Sequence, residues 1–260
     1  MGEAILKGLL GSGFLDRHDI SFYEKDDTRS RYITGEYGIS PAGSICSCIR
    51  GARYNLIAVK PQNIAKVVDE ARGCFDKNLN CIISIIAGIS TGYYERKLGR
   101  GTPVIRVMPN TPALYNRGMI TISPGRSAGK KDVVFVKGLM EKIGECMVID
   151  EGLQHISTAI NGSGPAYFFL FSRSLIEAAC RHGLDAETAR KLVAGTITGT
   201  GEMLKRSELG IDSLISRVAS PGGTTEKALE TFRAGGLENI VREAVENALK
   251  RSKELEKEMT

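Results

Sequence analysis

The run Val218-Ala219-Ser220-Pro221-Gly222-Gly223-Thr224-Thr225 carries the residue types of an anion site. It interrupts a helical region with Pro-Gly-Gly and then restarts a helix. Ser220 is suited to cap the new helix, and Pro221 has the fixed φ of a first helical position. The two glycines leave backbone N–H groups uncovered by side chains, so an anion can approach the helix start closely. Thr225 adds a hydroxyl beside that site. An ordinary helix–helix turn uses the same residue types, so the run alone leaves both readings open.

Two loops offer a second set of groups. Ala58, Val59, Lys60 and Pro61 follow one apolar β-rich run, and Pro109, Asn110 and Thr111 follow another. In an open α/β sheet the carboxyl ends of the strands face the ligand crevice. Asn110 has the amide donors and acceptor to bind a ligand there; a plain strand-end turn is the alternative. His18, His155 and His182 fall in no motif and are read as surface or structural residues.

The elements that would position these groups follow from periodicity. Strands are expected at Ile20–Tyr23, Asn55–Val59, Cys81–Ala87, Val104–Met108, Met119–Ser123 and Cys146–Ile149. Helices are expected at Pro61–Arg72, Thr91–Leu98 and Lys130–Ile143, with Gly73, Gly99 and Gly144 at helix stops. Apolar strands alternating with helices predict a mostly parallel sheet covered on both faces. Beyond Glu151 the strand signals vanish. Pro165–Arg181 is apolar nearly all round, with Phe168, Phe169, Leu170 and Phe171 in one run, and such a helix needs cover on every side. Ala186–Arg206, capped by Asp185, and Leu237–Leu255 complete a helical region with more apolar surface than it can bury alone, which predicts oligomerisation.

Composition narrows the class. With 42% hydrophobic and 25% charged residues, the 260-residue chain has the make-up of a soluble globular protein. The net charge of +5 is spread among acidic residues without a basic stripe, which argues against a nucleic-acid partner. The longest apolar run, 81–89, is too short to span a bilayer, and no signal segment opens the chain. Of the six cysteines, Cys46 and Cys48 have the wrong spacing for a redox or zinc pair, while Cys81 and Cys146 begin apolar strands. A reduced, cytoplasmic thiol set follows, with neither metal nor disulfide.

Taken together with Gly162-Ser163-Gly164-Pro165-Ala166-Tyr167 and Ser84-Ile85-Ile86-Ala87-Gly88-Ile89-Ser90, these motifs, in this order and spacing, resemble the pyrroline-5-carboxylate reductases of proline biosynthesis. The resemblance runs from Met1 to about Ala248. It implies a Rossmann-like doubly wound α/β domain over 1–151 and an all-α substrate and dimerisation domain over 152–260, interlocked as a homodimer that assembles further. It implies reduction of 1-pyrroline-5-carboxylate to L-proline with NADP(H), NAD(H) being the alternative. Backbone N–H groups of Gly222, Gly223 and Thr224 would take the substrate carboxylate, with Ser220 in the same turn. Thr225 would hydrogen-bond the ring nitrogen and help deliver its proton, with water as the net source. Glu208, 17 residues before Thr225, matches a glutamate near the family's site, a solvated helix-end carboxylate being the other reading. The loop at Asn110 would lie against the nicotinamide. Glu24, 22 residues after Gly2, is placed for a ribose 2′-OH, whereas Lys25, Arg29 and Arg31 would suit a 2′-phosphate.

Three departures qualify the resemblance. Gly210-Ile211 stands where a His-Pro pair is common, and Ser216 where an aspartate is usual. The chain also opens directly into Met1-Gly2-Glu3-Ala4-Ile5, so Gly2 matches the third small residue of a Gly-rich turn whose strand and first glycines have no counterpart. Gly8, Gly11 and Gly13 end a helix and are no substitute. An unfilled mid-sheet position is expected. The alternatives that follow are an N-terminally truncated, non-catalytic oligomeric binding protein, or a related imine or hydroxyacid reductase.

Overall fold

The computed structural model describes residues 1–259, Met259 in its backbone only. It divides into two compact units, Met1–Pro165 with the chain from Ala248 onward, and Ala166–Asn247.

The first unit opens with α1, Gly2–Gly11, which buries Ala4, Ile5 and Leu9 on one face. The segment Ile20–Tyr23 forms no strand. Its only ladder contact is an isolated parallel bridge from Phe22 to Pro41. The reason is pairing: a strand persists through neighbours, and this segment has one bridge on one side. Two helices follow that periodicity did not reveal. Helix α2, Asp27–Tyr37, is capped by Asp26 through the Arg29 N–H at 2.9 Å and stops at Gly38, φ 66°. It buries no residue, so it has no apolar stripe to read. Helix α3, Ile45–Arg50, starts from a Ser44/Ser47 capping box.

Strand β1, Tyr54–Ile57, is followed by α4, Ile64–Ala71, which buries Ile64, Val68 and Ala71 along one face. Then come β2, Cys81–Ser84, α5, Thr91–Leu98, β3, Val104–Met108, β4, Gly118–Pro124, α6, Lys130–Met140, and β5, Gly144–Val148. The sheet order is β1-β2-β3-β4-β5, parallel except for the antiparallel β3–β4 pair. Side chains alternate across it. Cys81, Ile83, Ile105, Val107, Ile120 and Ile122 pack with α1 and α6 on one face. Ile82 and Val104 pack with α4 and α5 on the other. Gly99 stops its helix as expected, whereas Gly144 begins β5.

One expectation about sulfur is overturned. Cys46 and Cys74 form a disulfide with Cα atoms 5.3 Å apart, 28 residues apart in sequence. The pairing joins the start of α3 to the turn after α4, a juxtaposition that spacing between neighbouring cysteines does not reveal. Burial pushes the thiols of Cys81 and Cys146 up to about 12, so both stay protonated.

Helix α7, Gln154–Ser157, runs into a π turn over Thr158–Gly162. His155 is structural. Its Nδ1 meets Ser252 Oγ at 2.9 Å and its Nε2 meets Glu256 Oε2 at 2.7 Å, which fastens the C-terminal stretch of the chain to the first unit.

The second unit is helical. It comprises most of α8, Gly164–Arg181, then α9, Ala186–Arg206, α10, Ile211–Val218, α11, Thr224–Ala234, and the first half of α12, Leu237–Met259. Asp185 caps α9 through the Thr188 N–H at 2.9 Å. Phe171 packs on Phe232 with ring centroids 5.9 Å apart. Within the single chain, however, Phe168 and Phe169 are 63% and 69% exposed, so the apolar sides of α8 are not covered by their own unit. Among the described residues no helix is long and apolar enough to cross a membrane, and no cluster of His, Cys, Asp or Glu gathers to hold a metal ion.

Candidate functional site

The expected site residues fall in two groups, one in each unit. In the first unit, Gly2 begins α1, whose N-terminus has no side-chain cap. A Cβ at Gly2 would lie 2.9 Å from the Ala58 Cβ, so glycine is required by the close approach of the α1 start to the end of β1. The structure thus brings Gly2 and Ala58 together. Val59 and Lys60 follow, and Lys60 precedes a 3₁₀ turn with Pro61 at its first position. Met1, Gly2, Ala58, Val59, Lys60, Glu24 and Lys25 all face one cavity of about 1370 Å³.

Charges beside α1 are already partnered. Glu3 takes the Arg29 guanidinium and the hydroxyls of Tyr37, at 2.9 Å, and Tyr32, at 3.2 Å. The bond from Arg29 holds the Glu3 carboxyl below the usual carboxylate range. Burial, with the bond to Glu3, pushes the Tyr37 hydroxyl up to about 12. Glu24 Oε1 accepts the Asp26 N–H at 3.2 Å, and Arg31 Nε donates to the Asp27 carbonyl at 3.3 Å. Sequence reading missed Glu3, because its three partners lie on α2, a helix without an apolar signature.

The Pro109–Thr111 loop ends β3. Pro109 and Asn110 are buried, and Thr111 opens a 3₁₀ turn. The Asn110 amide has structural work: Nδ2 donates to the Asn161 carbonyl at 3.0 Å, and Oδ1 accepts the Met119 N–H at 2.9 Å. Its side chain holds the loop to β4 rather than pointing its full amide at a ligand. Nearby, Glu151 accepts from the Thr91 N–H at 2.7 Å and hydroxyl at 2.6 Å and faces the buried Arg106 at 3.5 Å. One carboxylate thereby caps α5 and neutralises a buried cation.

In the second unit the turn differs from its expected form. Ser220 does not cap α11; Gly223 does, and Pro221 lies before the helix. The Gly223 N–H closes a tight turn onto the Ser220 carbonyl at 2.9 Å, with Gly222 at φ 71°. Proline then glycine at the two central positions is the type II pattern. A left-handed glycine cannot sit inside a helix start, so the helix begins three residues later than a Ser220 cap would place it.

This changes which donors are open. The Gly223 N–H is used by the turn, and the Gly222 N–H donates to Glu226 Oε2 at 2.7 Å. Glu226 is the third residue of α11, where a carboxylate also meets the positive end of the helix. Of the three expected donors, Thr224 remains as a first-turn helical N–H, and Thr225, half-buried, is the second helical residue beside it. Glu208 is exposed between α9 and α10, and among the described residues no hydrogen bond ties it to the turn. Glu226 was missed because it stands outside the glycine run. A Glu at the third helical position is its signal once the helix start is known.

Comparison with known proteins gives a consistent picture. Residues 151–255 match the family model for pyrroline-5-carboxylate reductase dimerisation, and residues 1–88 match that for NADP oxidoreductase, coenzyme F420-dependent. The chain is 32% identical to the pyrroline-5-carboxylate reductase of Corynebacterium melassecola over 259 residues, covering 99% of this chain and 96% of that protein. It is 32% identical to that of Escherichia coli K12 over 257 residues, covering 99% and 95%. The crystal structure of Plasmodium falciparum pyrroline carboxylate reductase with NADP bound superposes with a TM-score of 0.89 at 28% identity, covering 98% of this chain and 94% of that one.

Proposed function

This chain belongs to the pyrroline-5-carboxylate reductase family, and we propose that it reduces 1-pyrroline-5-carboxylate to L-proline with NADPH, the last step of proline biosynthesis. The observation that carries the reading is the tight Ser220–Gly223 turn feeding α11. It sets the Thr224 N–H and the Thr225 hydroxyl in one first helical turn.

The cofactor supplies the hydride when bound. On this reading Gly2, Ala58, Val59, Lys60 and Pro61 hold the dinucleotide, its diphosphate at the uncapped start of α1, where helix N–H groups and dipole favour anions. The close approach at Gly2 supports this, because any side chain there would fill the cradle. Pro109, Asn110 and Thr111 shape the wall against the nicotinamide, Asn110 by fixing the loop. Lys25, facing the same cavity, is suited to a 2′-phosphate. NAD(H) in its place is the alternative for Glu24.

The turn supplies substrate recognition. The first-turn N–H groups of α11 bind the substrate carboxylate, for which the Glu226 carboxylate yields the Gly222 N–H. Thr225 holds the ring nitrogen. A protonated cyclic imine is already electrophilic, so positioning and charge balance make up most of the protein's task. The Thr225 hydroxyl is too weak an acid to act alone, and it passes on a proton that water supplies. Glu208 assists near the same nitrogen. We further propose a functional division near Glu151, where the dimerisation match begins. The homodimer, assembling into a larger homo-oligomer, buries the open α8 face. A cytoplasmic setting completes the proposal, with neither nucleic acid nor membrane as partner.

The test is substrate-dependent NADPH oxidation by the purified chain and its Thr225→Ala variant. The variant should lose about 10²–10³-fold in kcat/KM and keep its NADPH affinity. Turnover of another imine or a keto acid, without turnover of pyrroline-5-carboxylate, would overturn the assignment. An unchanged kcat/KM in the variant would remove Thr225 from its role.

A further inference from the structure

Strands β3 and β4 part where the Pro109–Thr111 loop begins, and two asparagine side chains complete the rung left open there. The antiparallel register pairs Met108 with Thr121, so two residues further Asn110 falls opposite Met119. The Gly125 N–H donates to the Val104 carbonyl at 2.8 Å. Every second pair along such a ladder is hydrogen-bonded, so Asn110 and Met119 would form the next bonded pair after Met108 and Thr121. The backbone leaves before that rung forms, because the Asn110 carbonyl accepts the Ala113 N–H at 3.1 Å inside the 3₁₀ turn. In its stead Asn110 Oδ1 takes the Met119 N–H at 2.9 Å, and Asn161 Nδ2 donates to the Met119 carbonyl at 2.9 Å. Asn161 Nδ2 also reaches the Met108 carbonyl at 3.5 Å.

Asn161 sits in the π turn, where the Ser163 N–H donates to the Thr158 carbonyl at 2.9 Å. In a continued α-helix the Asn161 carbonyl would take the N–H of residue 165, but that residue is Pro165, which has none. Asn110 Nδ2 donates to this carbonyl at 3.0 Å. Ser157, one helical turn earlier, donates its hydroxyl to Asn161 Oδ1 at 3.0 Å. That bond fixes which way the amide points, since a flipped amide would set its oxygen against two carbonyls. Asn110 is buried, and Asn161 and Met119 are half-buried, so little water is at hand to replace these bonds.

We propose that Asn161 is a positioning residue for the reduction. Through Met119 and the Asn110 amide it sets where the Pro109–Thr111 loop stands against the nicotinamide, and so the distance over which the hydride passes. The inference rests on the reductase reading, in which that loop walls the nicotinamide. The Asn161 amide is spent on Ser157, Met108 and Met119, so it acts through the loop. A misplacement of about 1 Å at the reacting centre can cost about 100-fold in rate. On the same reading the diphosphate is held at α1 and the substrate carboxylate at α11. Loosening the loop therefore lowers kcat and leaves both binding steps nearly as they are.

Asn161→Asp is nearly isosteric, keeps the Ser157 bond and sets an oxygen against the carbonyls of Met108 and Met119. It should lower kcat about 100-fold, and Asn161→Ala, which only deletes the bonds, about tenfold. A packing role alone predicts the reverse order. In both variants the NADPH Kd, read by fluorescence, and the KM for pyrroline-5-carboxylate should stay within about twofold of wild type. Ser157→Ala, which leaves the amide free to turn, should give a smaller loss of the same kind and serves if the aspartate variant does not fold. In the protein without cofactor, amide exchange at Met119 should quicken about tenfold in Asn161→Ala. An unchanged kcat, a joint worsening of Kd, KM and kcat, or Met119 exchange at the wild-type rate overturns the proposal. A wild-type chain that binds NADPH without reducing pyrroline-5-carboxylate overturns the reductase reading instead, and Met119 exchange then decides alone whether Asn161 holds the loop.

Discussion

Gly222→Ala and Gly223→Ala lie one residue apart and should fail for different reasons. Gly222 sits at φ +71°, and a Cβ built there has nothing within 4 Å. Alanine meets no neighbour, so the whole penalty is the left-handed backbone, about 1–2 kcal/mol. Gly223 has φ −82° and ψ 168°, ordinary extended geometry. Its added Cβ, however, would lie 2.5 Å from Ser220 Oγ and 3.0 Å from the Ser220 carbonyl oxygen. The hydroxyl can swing aside for about 0.5–1.5 kcal/mol. The carbonyl cannot follow easily, because it accepts the Gly223 N–H at 2.9 Å. Ser220→Ala should therefore recover the hydroxyl part of the Gly223→Ala loss and none of the Gly222→Ala loss. If the turn must keep its form to bind the substrate carboxylate, 1–2 kcal/mol becomes about 5- to 30-fold in kcat/KM, mostly through KM. Steady-state kinetics with pyrroline-5-carboxylate varied at saturating NADPH, run as a double-mutant cycle, separates the two. A wild-type KM for Gly222→Ala, or equal recovery of both variants by Ser220→Ala, would refute the reasoning.

Other outcomes follow from single features. Cys46→Ser should lower stability in urea by about 3.5 kcal/mol under oxidising conditions, the entropy of a loop of roughly 28 residues, and the difference should vanish with dithiothreitol; equal melts in both conditions would deny the crosslink. Burial raises the Asp132 carboxyl, but bonds from Arg53, the Gly129 N–H and Tyr54 outweigh it and hold the group below its ordinary 3.8. That stabilisation is complete above about pH 5, well above the unfolded value, and is lost as pH falls through the lowered folded value, so Asp132→Asn should flatten the acid limb of a stability–pH curve; an unchanged limb would sink the idea. Phe169→Asp should dissociate the assembly in light scattering while the helical circular dichroism persists, and an active wild-type monomer at micromolar concentration would contradict the covered-face argument.

What the sequence disclosed depended on whether a feature repeats along the chain. Thr91–Leu98, Val104–Met108 and Ala186–Arg206 have the bounds that pattern and caps assign them. The central strands Cys81–Ser84 and Val104–Met108 are apolar because both faces are covered. Contacts between distant positions left no such trace. Glu3 with Arg29 and Tyr37, Glu151 with Thr91 and Arg106, and Cys46 with Cys74 are each set by the fold, and no local spacing encodes them. Asn110 has the right chemistry for a ligand and uses it on Asn161 and Met119. An amide at a strand end is as useful for fixing a loop as for binding through it.

The Ser-Pro-Gly-Gly run shows how one local choice moves the Thr225 hydroxyl relative to a helix start. Proline fits both the first position of a helix and the second of a type II turn, and the sequence reading took the first. The residue after it decides. Gly222 at φ 71° is compatible with the third position of the turn and not with the second position of a helix. Had Ser220 been the cap, Thr225 would lie a full turn inside α11, its N–H committed to the helix and its hydroxyl away from the positive end. With Gly223 as the cap, Thr225 is the second helical residue. Its N–H is then one of the unpaired first-turn donors, and its hydroxyl stands where the helix dipole favours the charge left when a proton departs. The glycine pair thus does more than clear space for an anion. It sets the helix start so that the threonine hydroxyl and the unpaired first-turn N–H groups share one turn.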